Sequence, residues 1–324
     1  MNALPEGIHR FLEQVGWAGS HIEPLPGDAS FRRYFRLRGE PGEAMLMYAP
    51  PPEEDPEPFL DVARWLTDKG LRAPAILAED RAQGWVLSED FGDWRVREWL
   101  DEHPAEETAI YERAIDTLVA LHHEQPGPFP PYDMAVYLRE AVLLPEWYCP
   151  AMGLTVDQPG YLKSWELALS PLLARQHPGV TVLRDYHAEN IMLPPDGSQG
   201  LIDFQDALIG HPAYDLVSLL QDARREVAPD LERRMLDRYF AALDADPQFE
   251  ADYAVLGAQR NAKIVGIFTR LAKRDGKPRY LSLIPRVWEA MERDLKHPAL
   301  APVADWFDAN IPQAIRDAHG GEIA

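Results

Sequence analysis

The stretch that decides the fold reads Leu183-Arg184-Asp185-Tyr186-His187-Ala188-Glu189-Asn190-Ile191-Met192-Leu193. It continues through Leu201-Ile202-Asp203-Phe204-Gln205-Asp206 to Gly210-His211-Pro212-Ala213-Tyr214-Asp215-Leu216. A short β-type run, Thr181-Val182-Leu183-Arg184, leads into Asp185, and Asn190 opens the next run five residues on. Pro194-Pro195-Asp196-Gly197 turns the chain, and Leu201–Phe204 brings it back. If these runs pair as a hairpin, Asn190 and Asp203 meet at one end. An amide oxygen and a carboxylate are hard ligands. They suit a Mg²⁺ ion that keeps waters and takes its remaining ligands from nucleotide phosphates. Asp185 then stands outside the metal, free to accept a proton from an attacking hydroxyl. A metal clamp plus an orienting base is the set of parts that phosphoryl transfer needs.

Outward from that segment the chain divides in two. Before it, Arg33–Arg38 and Ala44–Ala49 have strand character, although Ala and Met are weak strand formers, and Gly39–Gly42 supplies the turn between them. Pro50-Pro51-Pro52-Glu53-Glu54-Asp55-Pro56 is a loop, because prolines fix φ and remove donors. Phe59–Lys69 carries apolar residues at helical spacing, with Gly70 as its stop. Gly84–Ser88 reads as a further strand. From Trp94 the periodicity is helical, with helices expected at Glu106–His123, Met134–Leu144 and Tyr161–Gln176. The boundary falls at Glu89–Asp93. This gives a small α+β lobe over residues 1–90 and a larger, mainly helical lobe over residues 91–324. A cleft between unequal lobes is a usual place for a ligand.

The Asp185, Asn190, Asp203 pattern resembles the catalytic core of the aminoglycoside phosphotransferase-like kinases. In that family an Asp-x4-Asn loop precedes an Asp on the metal-binding strand. Gly210, Pro212, Asp215 and Leu216 match its Gly-x-Pro-x-x-Asp-Leu helix start. The resemblance implies an α+β, bilobal protein-kinase-like fold, with a small β-rich N-lobe that binds ATP and Mg²⁺ and a larger helical C-lobe. Asp185 is then the catalytic base, and Asn190 and Asp203 are the metal ligands. Asp215 is a support that accepts backbone N–H bonds. Gly27–Arg36, Asp203–Pro212 and Gln259–Phe268 look like the branch of cell-wall amino-sugar kinases. That branch phosphorylates the anomeric hydroxyl of N-acetylmuramate and N-acetylglucosamine in peptidoglycan recycling. The resemblance covers roughly residues 8–300.

One departure stands out. Most of the superfamily has a lysine on the third strand that pairs with the nucleotide phosphates, and here that strand reads Ala44-Met45-Leu46-Met47-Tyr48-Ala49. A guanidinium can replace it, since it holds phosphate oxygens in a bidentate fork. Arg33 or its neighbour Arg32 is expected to do so. Arg33 and Arg36 fall on opposite faces of a strand, so only one can point into the cleft. Gly27 and Ser30 fit either a phosphate-cradling turn or an ordinary bend. Glu89 lies at the lobe junction, where the family's backbone meets the adenine. Arg184 and His187, which flank Asp185, are candidate substrate contacts. His187 and Glu189 lack metal-ligand spacing and read as a solvent-facing or backbone-capping pair. Glu140, Trp147 and Tyr148 fall where a sugar could stack, though buried aromatics are more often core. The missing lysine leaves room for a nucleotide-binding module without catalysis, and the three intact acceptor groups oppose it. The sequence after Asp203 is Phe204-Gln205, which lacks the glycine of protein kinases.

Composition narrows the rest. The chain has 324 residues, 46% hydrophobic and 26% charged, enough for a real core. Its 53 acidic residues against 32 Lys+Arg give a net charge of -21, which repels phosphate backbones and anionic membranes. No apolar run reaches the length of a membrane span. Met1-Asn2-Ala3-Leu4-Pro5-Glu6 has no basic start or apolar run, so no secretory leader is expected and the cytoplasm is. The single cysteine, Cys149, excludes an internal disulfide and reads as inert packing. Residues 257–297 depart from the acidic average, with ten Lys+Arg against four Asp+Glu. That stretch is either a solvated basic helix face or an electropositive wall for ATP and an anionic sugar. Arg260, Lys263, Arg270 and Arg279 are the candidates, with Arg260 and Lys263 foremost, because an arginine could clamp the lactyl carboxylate of N-acetylmuramate. The expected partner is a small amino sugar. An acidic pocket would instead suit a cationic aminoglycoside, and choline or another small alcohol is a further alternative.

Overall fold

Alternating apolar residues along Arg33–Arg38 place one set of side chains on each face of a strand, and this alternation builds the first half of the molecule. The computed structural model describes residues 4–26, 31–243 and 247–323. The motif Gly27-Asp28-Ala29-Ser30 lies outside the described residues. Two compact units form. The first comprises the described residues up to Val96 together with Asn190–Asp206. The second comprises Arg97–Glu189 and the described residues from Ala207 onward. The segment Asn190–Asp206 therefore packs with the first unit rather than with its sequence neighbours, because its strand pair bonds back onto residues 72–95. Leu201 donates to the Arg72 carbonyl and Leu193 to that of Trp94.

In the first unit, helix α1 (Ile8–Gln14) precedes strands β1 (His21–Pro24), β2 (Arg33–Gly39) and β3 (Gly42–Tyr48). Helix α2 (Glu57–Asp68) and strands β4 (Ile76–Asp80) and β5 (Trp85–Glu89) follow. The sheet is antiparallel, in the order β1-β2-β3-β5-β4. β3 forms despite its Ala and Met content, because it is paired on both sides: Leu46 faces Phe35 on β2 and Leu87 on β5. Phe35, Leu37, Ala44, Leu46, Trp85 and Leu87 cover one face and bury Ile8, Phe11 and Leu12 of α1. Trp85 stacks on Tyr48 with ring centroids 4.2 Å apart. Gly84 has φ +77°, and a Cβ there would lie 1.9 Å from the Ala49 carbonyl oxygen, so this turn into β5 requires glycine. The edge strands β1 and β4 and helix α1 add to the three strands and one helix expected from the sequence.

The second unit is mainly helical. It contains α3 (Val96–Glu102, whose first residue belongs to the first unit), α4 (Glu107–His123), α5 (Met134–Ala141), a π-helical turn Leu144–Tyr148, the single turn α6 (Cys149–Ala151) and α7 (Gln158–Arg175). Strand β6 (Val180–Val182) precedes the short pair β7 (Ile191–Met192) and β8 (Gly200–Leu201) of the first unit. Strand β9 (Leu208–Gly210) then returns to pair antiparallel with β6. Helices α8 (Ala213–Leu220), α9 (Pro229–Leu243), α10 (Phe249–Lys273), α11 (Ile284–Asp294), α12 (Ala301–Asn310) and α13 (Gln313–Asp317) complete it. Helix α10 is buried along most of its length, including the polar residues Gln259, Arg260, Asn261, Lys263 and Thr269. It comes so close to the π-helical turn's start that a Cβ on Gly266 would lie 2.4 Å from the Leu143 carbonyl carbon. The fold is α+β, as the sequence led us to expect, with the sheet in the first unit and the helices in the second.

Candidate active site

The loop Leu183–Glu189 leaves β6 with a backbone that needs outside support. Arg184 has φ +72°, a left-handed conformation that side-chain-bearing residues rarely adopt and that costs on the order of 1–3 kcal/mol. Asp215 supplies the support. It is 0% exposed in the first turn of α8, and its carboxylate accepts the Leu183 and Arg184 N–H groups at 2.7 and 2.8 Å. Burial raises the Asp215 carboxyl to about 7, and the two N–H bonds only partly oppose it. Asp222 braces the far end of the loop by accepting from the Ala188 N–H at 3.2 Å.

Asp185 faces a different environment. Its side chain is 44% exposed, and Arg260 Nη2 lies 3.9 Å from Oδ1. Partial desolvation pushes its carboxyl up, but the cations Lys263, Arg260 and Arg184 hold it below the usual range. An ionised, partly exposed carboxylate can accept a proton from a hydroxyl.

Beneath the loop lies a buried charge cluster that the sequence did not reveal. Arg184 donates to Glu140 Oε1, and Lys263 Nζ donates to the same oxygen at 3.0 Å. The Tyr132 hydroxyl donates to Glu140 Oε2, and Lys263 also donates to the Tyr214 hydroxyl at 3.2 Å. Arg260 donates to Ser218 Oγ at 2.8 Å. Burial works against the Lys263 charge, but Tyr214 and Glu140 outweigh it. Arg260 and Lys263 are only 3% and 9% exposed, so the expected solvated helix face is absent at these positions. Buried charges persist only when paired, and Glu140 is the shared partner. Arg279, by contrast, is exposed and Arg270 half-buried. His187 is buried, and burial lowers its pKa. The neutral ring therefore accepts from Arg224 through Nε2 at 3.3 Å, since a guanidinium only donates. Glu189 pairs with Arg97 and, at 2.9 Å, with Arg224. His187 and Glu189 thus brace the loop. His187 is buried rather than solvent-facing.

In the first unit, the strand pair brings Asn190 and Asp203 together as the sequence implied. Asn190 Nδ2 donates to Asp203 Oδ2 at 3.2 Å, and the Ile202 N–H donates to the Asn190 carbonyl at 3.1 Å. Gln205 Nε2 donates to the other Asp203 oxygen at 2.8 Å. Asp203 has φ +60° and is exposed. The donor set is one carboxylate and one amide, with neither sulfur nor imidazole. No group of three or more His, Cys, Asp or Glu side chains that could hold a metal occurs among the described residues. Two oxygen donors of this kind fit Mg²⁺, which retains waters and shares phosphate ligands.

The arginines of β2 separate clearly. Arg36 binds Asp90 at 2.5 and 3.1 Å, Asp93, and the Gly92 carbonyl at 3.0 Å, so it pins the 90–93 turn. Arg33 lies on the face of Phe35, 5.2 Å from its ring centroid. Arg32 bonds Glu54 at 3.2 Å and the Tyr34 hydroxyl, and Asp203 contributes to the field at that hydroxyl. Glu89 is held by Arg72 in two 2.6 Å bonds, and its own N–H donates to the Ala75 carbonyl at 2.9 Å.

A model of the phosphotransferase enzyme family matches residues 21–253. The chain belongs to that family. This phosphotransferase is 37% identical to an N-acetylmuramate/N-acetylglucosamine kinase of Caulobacter vibrioides, over 94% of this chain and 96% of that one. It is 38% identical to the protein of the same name from Pseudomonas aeruginosa, over 92% and 91%. A choline kinase from Streptococcus pneumoniae superposes with a TM-score of 0.63 at 13% identity, covering 90% of this chain and 98% of that one. An ADP-bound aminoglycoside phosphotransferase gives 0.61 at 15% identity, covering 90% and 97%. The phosphotransferase thus shares their kinase-like fold. No helix among its described residues is long and apolar enough to cross a membrane.

Proposed function

We propose that this phosphotransferase moves the γ-phosphoryl group of ATP to the anomeric hydroxyl of N-acetylmuramate and N-acetylglucosamine. What carries the reading is the name shared by relatives that match over more than nine-tenths of both chains. We assign the reaction to the cytoplasm, where ATP is available and cell-wall sugars return for reuse. Asn190 and Asp203 would hold Mg²⁺, which when bound neutralises charge on the β- and γ-phosphates. Asp185 orients the anomeric hydroxyl and accepts its proton. That hydroxyl is more acidic than an ordinary alcohol, so positioning and electrostatics supply most of the acceleration. Arg32 takes the place of the absent third-strand lysine, because it shares the face of Tyr34 and Arg33 does not. Replacing Arg32 with Ala raises the KM for ATP about tenfold, and Arg33→Ala leaves it within about twofold. Equal effects in the two variants would reverse this assignment.

Phosphorus NMR of the products formed with N-acetylmuramate, N-acetylglucosamine, choline and an aminoglycoside identifies both the acceptor and the oxygen modified. An anomeric phosphate on the amino sugars supports the reading. A phosphate on choline or the aminoglycoside alone ends it. Asp185→Asn lowers kcat about a thousandfold while nucleotide affinity, measured by calorimetry, stays near that of the parent. Near-normal turnover in that variant would remove the base from Asp185.

A further inference from the structure

Beside the loop residues His187–Glu189, the second unit has a pocket of about 290 Å³ lined by Arg97, Asp101, Arg224, Arg225, Glu226 and Arg286. Four guanidinium groups converge there in a chain whose net charge is -21. Their partners do not match them evenly. Arg225 pairs with two carboxylates, Asp101 at 3.0 Å and Glu107 at 2.8 Å. Arg97 and Arg224 share one carboxylate, Glu189. Arg286 has no carboxylate partner among the described residues, and its guanidinium donates to the Ala223 carbonyl at 3.3 Å. Opposing these, Glu226 lines the pocket, is exposed, and has no ion-pair partner among the described residues. The pocket therefore offers two unsaturated forks, on Arg286 and on the Arg97–Arg224 pair, and one carboxylate that works against an anion.

The two sugars named for the relatives differ by one group. N-acetylmuramate carries a lactyl ether on the C3 oxygen that ends in a carboxylate, and N-acetylglucosamine has a free hydroxyl there. C3 lies two ring carbons from the anomeric carbon. His187 is two residues beyond Asp185, sits in the fields of both Asp185 and Arg224, and accepts a bond from Arg224. The geometry points to Arg286, with Arg97 and Arg224, as the subsite that takes the lactyl carboxylate of N-acetylmuramate. This rests on the acceptor reading above. A planar guanidinium fork matches a carboxylate in shape as well as charge. The assignment moves the anion clamp away from Lys263, whose ammonium is held by Glu140 and Tyr214.

The test is the ratio of kcat/KM for N-acetylmuramate to that for N-acetylglucosamine. Arg286 is exposed and, among the described residues, bonds a backbone carbonyl, so Arg286→Ala folds, and turnover of N-acetylglucosamine reports the folded enzyme in each preparation. The ratio falls about tenfold in Arg286→Ala, consistent with the loss of a hydrogen bond to a charged group. In Arg286→Lys, which keeps the charge but not the fork, it falls by less. It rises about two- to threefold in Glu226→Gln, where a facing negative charge is removed. A ratio within about twofold of the parent in both Arg286→Ala and Glu226→Gln overturns the subsite while leaving the acceptor reading intact. If the parent turns over neither sugar, both fall.

Discussion

Two neighbouring stretches of this chain carry its acidic chemistry, and they are built in opposite ways. Leu183–Glu189 in the second unit rests on buried groups. Asp215 holds its backbone, Glu140 neutralises Arg184 and Lys263, and Asp222 receives the Ala188 N–H. Asn190 and Asp203 in the first unit rest on a two-residue strand pair and bond to each other and to Gln205. One stretch is specified by what surrounds it. The other presents oxygen atoms at one end of a short strand pair. The first should therefore respond to mutation in stability as well as rate, and the second in rate alone.

The largest effect that can break this contrast is at Asp203. Asp203→Ala removes a carboxylate that is exposed and, among the described residues, bonded to Asn190 and Gln205, so the melting temperature moves little. Turnover falls about a thousandfold or more at any magnesium concentration. A variant that melts far below the parent would show that Asp203 is structural after all. Glu140→Gln tests the opposite side. It removes the carboxylate that the buried Lys263 and the half-buried Arg184 share, and stability measured by urea unfolding drops by about 3–5 kcal/mol. Adding Lys263→Met to it restores part of the loss, because the two residues share one interaction. A Glu140→Gln variant within about 1 kcal/mol of the parent would mean that the cluster is better solvated than its burial implies.

Asp185, Asn190, Asp203 and Asp215 were legible in the sequence because they fall in one short window, where spacing and strand–turn–strand context reinforce each other. The partners of Arg260 and Lys263 were not. A local window shows a cation but not the carboxylate that neutralises it, and Glu140 is 123 positions from Lys263. A buried acid among the apolar residues of α5 was the one available signal. Strands β1 and β4 were missed because both are edge strands. They are short, with Pro24 or the acidic Glu79 and Asp80 at their ends, and only one side of each is paired. The choice between Arg32 and Arg33 depends on which face of β2 each side chain takes, and the strand's start sets that. The arginine pocket combines α3, the loop after α8 and α11, whose convergence no linear pattern announces.

The finest distinction lies between two aspartates on either side of the same loop. Asp215 titrates near 7 in the folded chain because it is buried, against about 3.9 when unfolded. Between these values the unfolded chain has released the proton and the folded chain still holds it. The stability Asp215 contributes is therefore fully present below about pH 4. It declines by about 1.4 kcal/mol per pH unit toward pH 7 and is flat beyond. Asp215→Asn removes this dependence, so the stability difference between variant and parent shifts in the variant's favour as pH rises from 4 to 7. Asp185 has the opposite sign. Its carboxyl is held low by Lys263, Arg260 and Arg184, so its contribution is present above about pH 4 and fades as the solution becomes more acidic, weakened by its exposure. Urea unfolding of Asp215→Asn and Asp185→Asn at pH 3, 4, 5.5 and 7 should give a difference from the parent that changes between pH 4 and 7 for Asp215→Asn and only below pH 4, with the opposite sign, for Asp185→Asn. Parallel slopes would mean that the two carboxylates share one environment, and that the contrast between the buried brace and the exposed carboxylate does not hold.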